Sequence, residues 1–178
     1  MKQDRRGFIL GAFTGIGAAG VLYAMKRTWD PLPSVQHAGV TTIELSDIKE
    51  NELMIYKWRG KPIFVLKKTP DIVAKQSAND LARDIIVGED HYILCIGLCT
   101  HLGCIPAYRE SQHIFLCACH GAEYDASAIN IKAPAPFPML IPPFEVKGTH
   151  LTIGKEGTAY AKMKKAEVLG LKILDSTI

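Results

Sequence analysis

The stretch Cys117–Asp125, CACHGAEYD, sets two cysteines and a histidine within four positions. A second stretch, Cys99–Cys104, CTHLGC, repeats the residue types with Cys99, His101 and Cys104. Together they read C-x-H at Cys99 and His101, 15 intervening residues, then C-x-x-H at Cys117 and His120, with one further cysteine in each. Four of the chain's five cysteines fall here, which points to a site and not to a disulfide framework spread over the fold. Two thiolates and two imidazoles are enough for four ligands. Structural zinc accepts Cys₂His₂ and is the main competitor, although its paired ligands are generally separated by two or more residues. Only one residue separates Cys99 from His101. The alternative is an iron-sulfur cluster in which one iron takes the two thiolates and the other the two imidazoles.

Around these loops the texture is a series of short β-like runs: TTIEL from Thr41, LMIYKW, PIFVLKK, HYILCIGL, HIFLCA, FEVKG and HLTIG, punctuated by Gly, Pro, Asn and Asp. Their frequency predicts a mainly β, antiparallel domain over 41–154. Between Asp71 and Asp84 the apolar spacing changes and predicts a short helical insertion. The segment KAPAPFPMLIPP, Lys132–Pro143, carries five prolines and cannot supply regular ladder donors, so it is expected to be a rigid extended loop. Residues 155–178 are weakly patterned and read as either a docking helix or a frayed end.

The chain has 178 residues, 48% of them hydrophobic, which suits one compact core plus attachments. Of its net charge of +3, the first 27 residues carry +4 and the rest −1, so the body is nearly neutral. No basic stripe able to displace counterions is visible, which excludes nucleic acid as a partner. Phe8–Met25 is an uncharged run of 18 residues, roughly 27 Å as a helix at ~1.5 Å per residue. That is just enough to span a bilayer. Arg5 and Arg6 flank it on one side, Lys26 and Arg27 on the other. RRGFI, Arg5–Ile9, resembles a twin-arginine export signal. The run ends in LYAMKR without a small-x-small cleavage site, so residues 1–27 are expected to stay as a transmembrane signal-anchor. Gly11 and Gly15 form a small-xxx-small pair that either packs another helix or is incidental. Residues 28–40, with Pro31 and Pro33, read as a flexible tether whose 13 residues reach about 45 Å when extended, at ~3.3–3.6 Å each.

CTHLGC with CACHGAEYD resembles the paired loops of Rieske proteins, specifically the iron-sulfur subunit of quinol:cytochrome c reductases, the cytochrome bc complexes. The resemblance extends to KWRGKPIFVLKKT, Lys57–Thr69, similar to the family's early strand pair. It also takes in KAPAPFP, similar to its proline loop although Ala133 stands where glycine is common. It implies a Rieske-type antiparallel β-sandwich with a cluster-binding subdomain and one 2Fe-2S cluster. Cys99 and Cys117 would bind one iron, His101 and His120 the other. Cys104 and Cys119 would form the disulfide joining the loops, in keeping with an exported domain. Leu102 would shield the cluster at the docking face, and Tyr124 would give its hydroxyl to a ligand sulfur; each also reads as ordinary packing. Ala122 stands where the best-known members have a serine that hydrogen-bonds a cluster sulfide.

The activity implied is proton-coupled one-electron oxidation of a quinol, the proton going to an imidazole of His101 or His120 and the electron onward to a c-type cytochrome. The expected partners are a cytochrome b subunit, a c-type cytochrome subunit, the quinol and the membrane, in a dimeric complex. The head would lie on the periplasmic side of a bacterial inner membrane. A relay subunit of a periplasmic molybdenum enzyme such as arsenite oxidase is a second reading, a zinc module a third. Cys95 reads as a small buried apolar residue; His37, His91, His113 and His150 read as surface or loop residues.

Overall fold

The computed structural model describes residues 5–30 and 39–169. Residues 31–38, which hold most of the expected tether and His37, lie outside the described residues, as do residues 170–178 of the C-terminal extension. The chain divides into two units, Met1–His37 and Ala38–Ile178. In the first, helix α1 spans Arg5–Trp29. Its 25 residues make ~37 Å at 1.5 Å per residue. It runs on past the uncharged stretch into the basic flank because no proline interrupts it before Pro31. Lys26 and Arg27 occupy its last turn, where a positive charge opposes the helix dipole. The segment Gly7–Trp29 is long and apolar enough to cross a membrane. Its large apolar side chains, Phe13 and Leu22 among them, are exposed.

The second unit holds three antiparallel sheets. The strands are β1 Thr41–Glu44, β2 Leu53–Trp58, β3 Lys61–Lys67, β4 Ile85–Val87, β5 Asp90–Ile96, β6 Ala107–Arg109, β7 Ile114–Cys117, β8 Ala122–Tyr124, β9 Asn130–Lys132, β10 Phe144–Lys147 and β11 His150–Ile153. They pair as β1-β11-β10, β2-β3-β5-β4 and β6-β7-β8-β9. The Rieske-type sandwich is therefore present, with the expected separate sheet under the site. Seven of the strands coincide with the runs read from the sequence; β4, β6, β8 and β9, three residues each, are too short to show alternation.

The middle sheet explains why PIFVLKK and HYILCIGL are apolar without a break. Successive strand residues face opposite sides. On β3, Ile63 and Val65 enter one core while Phe64 and Leu66 enter the other; on β5, Tyr92, Leu94 and Ile96 oppose Ile93 and Cys95. A sheet covered on both faces reads as a continuous apolar run. One core takes Ile43, Leu151, Ile153 and Phe144 from the first sheet, together with Tyr160, Met163 and Leu169. Tyr160 and Met163 lie on helix α4, Thr158–Lys165, so the C-terminal extension docks as a helix over its described part. The other core takes Phe115, Cys117, Ala122 and Tyr124 from the third sheet.

The helical insertion consists of α2, Pro70–Ala74, and α3, Ala78–Leu81. Thr69 caps α2 with Pro70 in its first turn, and Ser77 and Asp80 form a reciprocal capping box on α3. Just beyond the helices lies a buried polar network: Lys68 bonds Asp84 and, at 2.7 Å, Ser127 Oγ, which also accepts from Gln76 Nε2 at 2.6 Å. His91, expected on the surface or in a loop, is instead a half-buried residue of β5 whose Nδ1 is 2.9 Å from Asp84 Oδ2. Its place follows from Asp84, a buried carboxylate that requires partners. His113 Nδ1 sits 3.0 Å from Asn51 Oδ1, and His150, on β11, pairs with Glu44 at 2.6 Å. Cys95 is fully buried, and that burial pushes its thiol up to about 12.

Gly97 ends β5's approach to the first ligand loop, and a Cβ there would lie 2.3 Å from Phe64 Cε1. Phe64 is fully buried and stacks on Phe115 at 5.7 Å, so the ring has nowhere to retreat. Gly97→Ala is expected to destabilise the fold by about 1–3 kcal/mol. The second-site change Phe64→Leu should recover part of that loss, as denaturant titration of the single and double variants would show.

Candidate metal centre

The first ligand loop leaves β5 and the second leaves β7, two strands from different sheets that face the same core. Each loop is closed the same way. Gly103 N–H donates to the Cys99 carbonyl at 2.8 Å, and Gly121 N–H donates to the Cys117 carbonyl at 3.0 Å. Both glycines have positive φ, +80° and +76°, a conformation that a Cβ would strain. A cysteine-to-glycine turn thus lifts a histidine out of each loop. The loops are clasped by the Cys104–Cys119 disulfide, 15 residues apart in sequence. A closure of that length contributes roughly 3 kcal/mol by restricting the unfolded chain.

Within the clasp, Cys99 and Cys117 are buried free thiols. Outward of them the Nδ1 atoms of His101 and His120 face each other at 3.2 Å, with the rings at 89° and 4.6 Å between centroids. His120 is exposed and His101 half-buried. Buried sulfurs with more exposed nitrogens suit two metals of different ligation. The Sγ atoms of Cys104, Cys117 and Cys119 also lie within 4.8 Å of one another. That trio is not a ligand set, because two of its sulfurs are spent in the disulfide. Burial pushes the Cys117 thiol up. Its thiolate is therefore a form that a bound cation stabilises, since coordination deprotonates a thiol outright.

The ring of Tyr124 is fully buried and its Oη donates to Cys99 Sγ at 3.3 Å. Burial and the neighbouring sulfur push the phenol up to about 12, so it stays a donor. Thr100, which sequence reasoning passed over, organises this contact. Its N–H donates to Tyr124 Oη at 2.9 Å, and its Oγ1 donates to the carbonyl of Phe137 in the proline loop at 2.6 Å. The only available signal was a hydroxyl residue between a cysteine and a histidine. Leu102 is 72% exposed beside the imidazoles, and Ile105 is 61% exposed nearby. Ala122, on β8, is buried and presents no donor.

A family model described as the Rieske [2Fe-2S] domain matches residues 39–145. The ubiquinol-cytochrome c reductase iron-sulfur subunit of Rickettsia felis is 33% identical over 157 residues, 80% of this chain and 88% of that protein. The mitochondrial cytochrome b-c1 complex subunit Rieske of Schizosaccharomyces pombe is 31% identical over 153 residues, 82% of this chain and 67% of that one. Among solved structures, a chain of a hyperthermophilic respiratory Complex III superposes with a TM-score of 0.62 at 30% identity. That match covers 82% of this chain and 98% of the other. The chain belongs to the Rieske [2Fe-2S] family. Its cofactor is one 2Fe-2S cluster, and two buried thiols behind two outward imidazoles are a donor set that fits such a cluster.

Replacing any one of Cys99, His101, Cys117 or His120 with alanine is expected to abolish the Rieske electron paramagnetic resonance signal. Cys95, the remaining free thiol among the described residues, lies within β5 with its Sγ 4.0 Å from Met139 Sδ, outside the Cys99–Cys104 loop, and is not expected to substitute. Cys104→Ser and Cys119→Ser should keep the signal when freshly loaded and lose it faster in mild denaturant.

Proposed function

We propose that this chain is the Rieske subunit of a membrane quinol:cytochrome c reductase. The observation that carries the reading is the pair of facing imidazoles, His120 exposed and His101 half-buried, set beside two buried thiols. With each Nδ1 turned toward the other ring, Nε2 is the ring nitrogen left to meet a quinol hydroxyl. His101 and His120 are the groups that receive the substrate's proton there. Leu102 and Ile105 supply an apolar collar that displaces water from the approach, so that the hydroxyl's hydrogen bond goes to an imidazole. When bound, the 2Fe-2S cluster supplies a one-electron acceptor. Thr100 and Tyr124 hold the Cys99 sulfur that would be one of its ligands.

In the same reading, residues 1–27 are a signal-anchor carrying the twin-arginine motif Arg5–Arg6, with α1 spanning a bacterial inner membrane and the second unit in the periplasm. The disulfide suits that oxidising side. Residues 28–40 tether a head, residues 41–154, that moves between a cytochrome b subunit, where quinol is oxidised, and a c-type cytochrome, in a dimeric complex. Affinity purification through the full chain should recover both cytochromes with quinol:cytochrome c reductase activity. Recovery of a molybdopterin subunit in their place would overturn this reading in favour of the relay.

Ala122 bears on the substrate. The resemblance puts a sulfide-bonding serine hydroxyl at this buried position; alanine offers none, leaving the Tyr124 hydroxyl on the Cys99 sulfur. Fewer hydrogen bonds to sulfur lower the potential within the span of about −150 to +300 mV that Rieske centres cover. A lower-potential acceptor suits menaquinol better than ubiquinol. Ala122→Ser is expected to raise the midpoint potential, by roughly tens of millivolts on that scale. Redox titration of the two proteins checks it, and an unmoved potential in a variant whose hydroxyl is seen to bond the site would remove the basis for menaquinol.

A further inference from the structure

The guanidinium of Arg83 is buried, and its three nitrogens reach three different segments of the chain. Nε donates to the Ser127 carbonyl at 2.9 Å, Nη2 to the Met139 carbonyl at 2.6 Å, and Nη1 to the Val168 carbonyl. Ser127 lies in the turn after β8, the strand that carries Tyr124. Met139 lies in the proline loop. Val168 follows α4 in the C-terminal extension. The same three segments are laced to one another, with Met139 N–H on the Ala128 carbonyl at 2.9 Å and Ile141 N–H on the Leu169 carbonyl at 3.2 Å.

The proline loop, residues 133–143, has no strand partner of its own, so these bonds decide where it sits. Its C-terminal half is held by Arg83, by Leu169 and by Leu140 O, which accepts from Ile96 N–H at 2.7 Å. Two residues before Met139, Phe137 O takes the hydroxyl hydrogen of Thr100, the residue between Cys99 and His101. The path from the C-terminal segment to Thr100 in the Cys99–Cys104 loop is therefore three hydrogen bonds and the short chain stretch between Met139 and Phe137: Val168 to Arg83, Arg83 to Met139, and Phe137 to Thr100, with a fourth bond joining Thr100 to Tyr124. A planar fork meets the three carbonyls from three separate nitrogens, whereas the three donors of lysine share one nitrogen and cannot span the same positions.

We infer that Arg83 and the segment it holds, Val168–Leu169, are positioning elements of the cluster site: they fix the proline loop against Thr100 and so set the surroundings of the Cys99 sulfur. The C-terminal extension, outside the residues matched by the Rieske family model, is on this account part of the site's scaffold. The inference rests on the ligand assignment to Cys99, His101, Cys117 and His120.

The test uses the full chain loaded with its cluster and reads g-values and midpoint potential. Arg83→Lys keeps the charge and loses the fork. A chain ended after Glu167 removes the Val168 and Leu169 carbonyls while Tyr160 and Met163 keep helix α4 docked. Leu151→Ala is the control, a lesion in the other core that touches none of these bonds. Arg83→Lys and the shortened chain should both shift the potential and the g-values, in the same direction and with no additivity in the combined variant. Leu151→Ala should lower the melting temperature and move neither. Wild-type g-values and potential in both variants, or a shift that Leu151→Ala reproduces, would overturn the inference. Should Arg83→Lys not fold, the shortened chain decides alone. A wild-type protein without a Rieske signal would instead bring down the ligand assignment itself.

Discussion

Strands β3 and β5 have no solvent face, and the rest of the head is arranged around that fact. Because side chains alternate, a single pair of strands faces two cores, with Val65 and Leu94 on one side and Phe64 and Cys95 on the other. The first sheet and α4 must cover one face, and the third sheet must cover the other. The ligand loops hang from the ends of strands that share the second core. Phe64 against Gly97, and Phe64 against Phe115, lock that core to the root of the first loop. A slip of one residue in the β3–β5 register would exchange the two cores' side chains wholesale.

Polar groups complete what apolar packing leaves open. The buried Lys68–Asp84 pair and the Arg83 fork lie where the middle sheet, the turn after β8 and the proline loop converge. A buried pair of this kind adds little over a well-packed apolar substitute, but loss of one partner strands the other. Its value here is directional: carbonyls from distant segments are satisfied only in one arrangement. Apolar packing of Met139 or Leu169 alone would tolerate small slides. Hydrogen bonds to a planar cation do not.

Much of this was legible in the sequence, for reasons that can be named. Seven strands show through their alternation or their unbroken apolar runs, and the helical insertion through its change of spacing. The four expected ligands lie in two short motifs, and the Cys104–Cys119 clasp that the structure forms was implied by the family resemblance of those motifs. What stayed hidden depends on contacts far along the chain. Arg83 and Asp84 stand in the sequence as ordinary charged residues after a short helix. Arg83's partners lie 44, 56 and 85 residues further on. Thr100 is likewise silent until Tyr124 and Phe137 are brought to it. The three-residue strands β6, β8 and β9 owe their existence to neighbouring strands and not to any pattern of their own. The C-terminal extension left two readings open because Tyr160 and Met163 are too few to declare an amphipathic face.

The placement of four sulfurs at one tip bears on the order in which this protein can be made. Cys117 Sγ lies within 4.8 Å of both sulfurs of the clasp. A thiol at that range is an attacking group for thiol–disulfide exchange, and a mispaired bridge would consume a ligand. Coordination removes the hazard, since a thiolate bound to metal no longer competes. A chain that meets oxidant before it is loaded has several ways to pair its sulfurs and one that is useful. A chain loaded first has only Cys104 and Cys119 left at the tip to oxidise. On the proposed ligand assignment, the architecture favours a fixed sequence of maturation, metal before oxidant, with the bound cofactor acting as a protecting group for its own ligands.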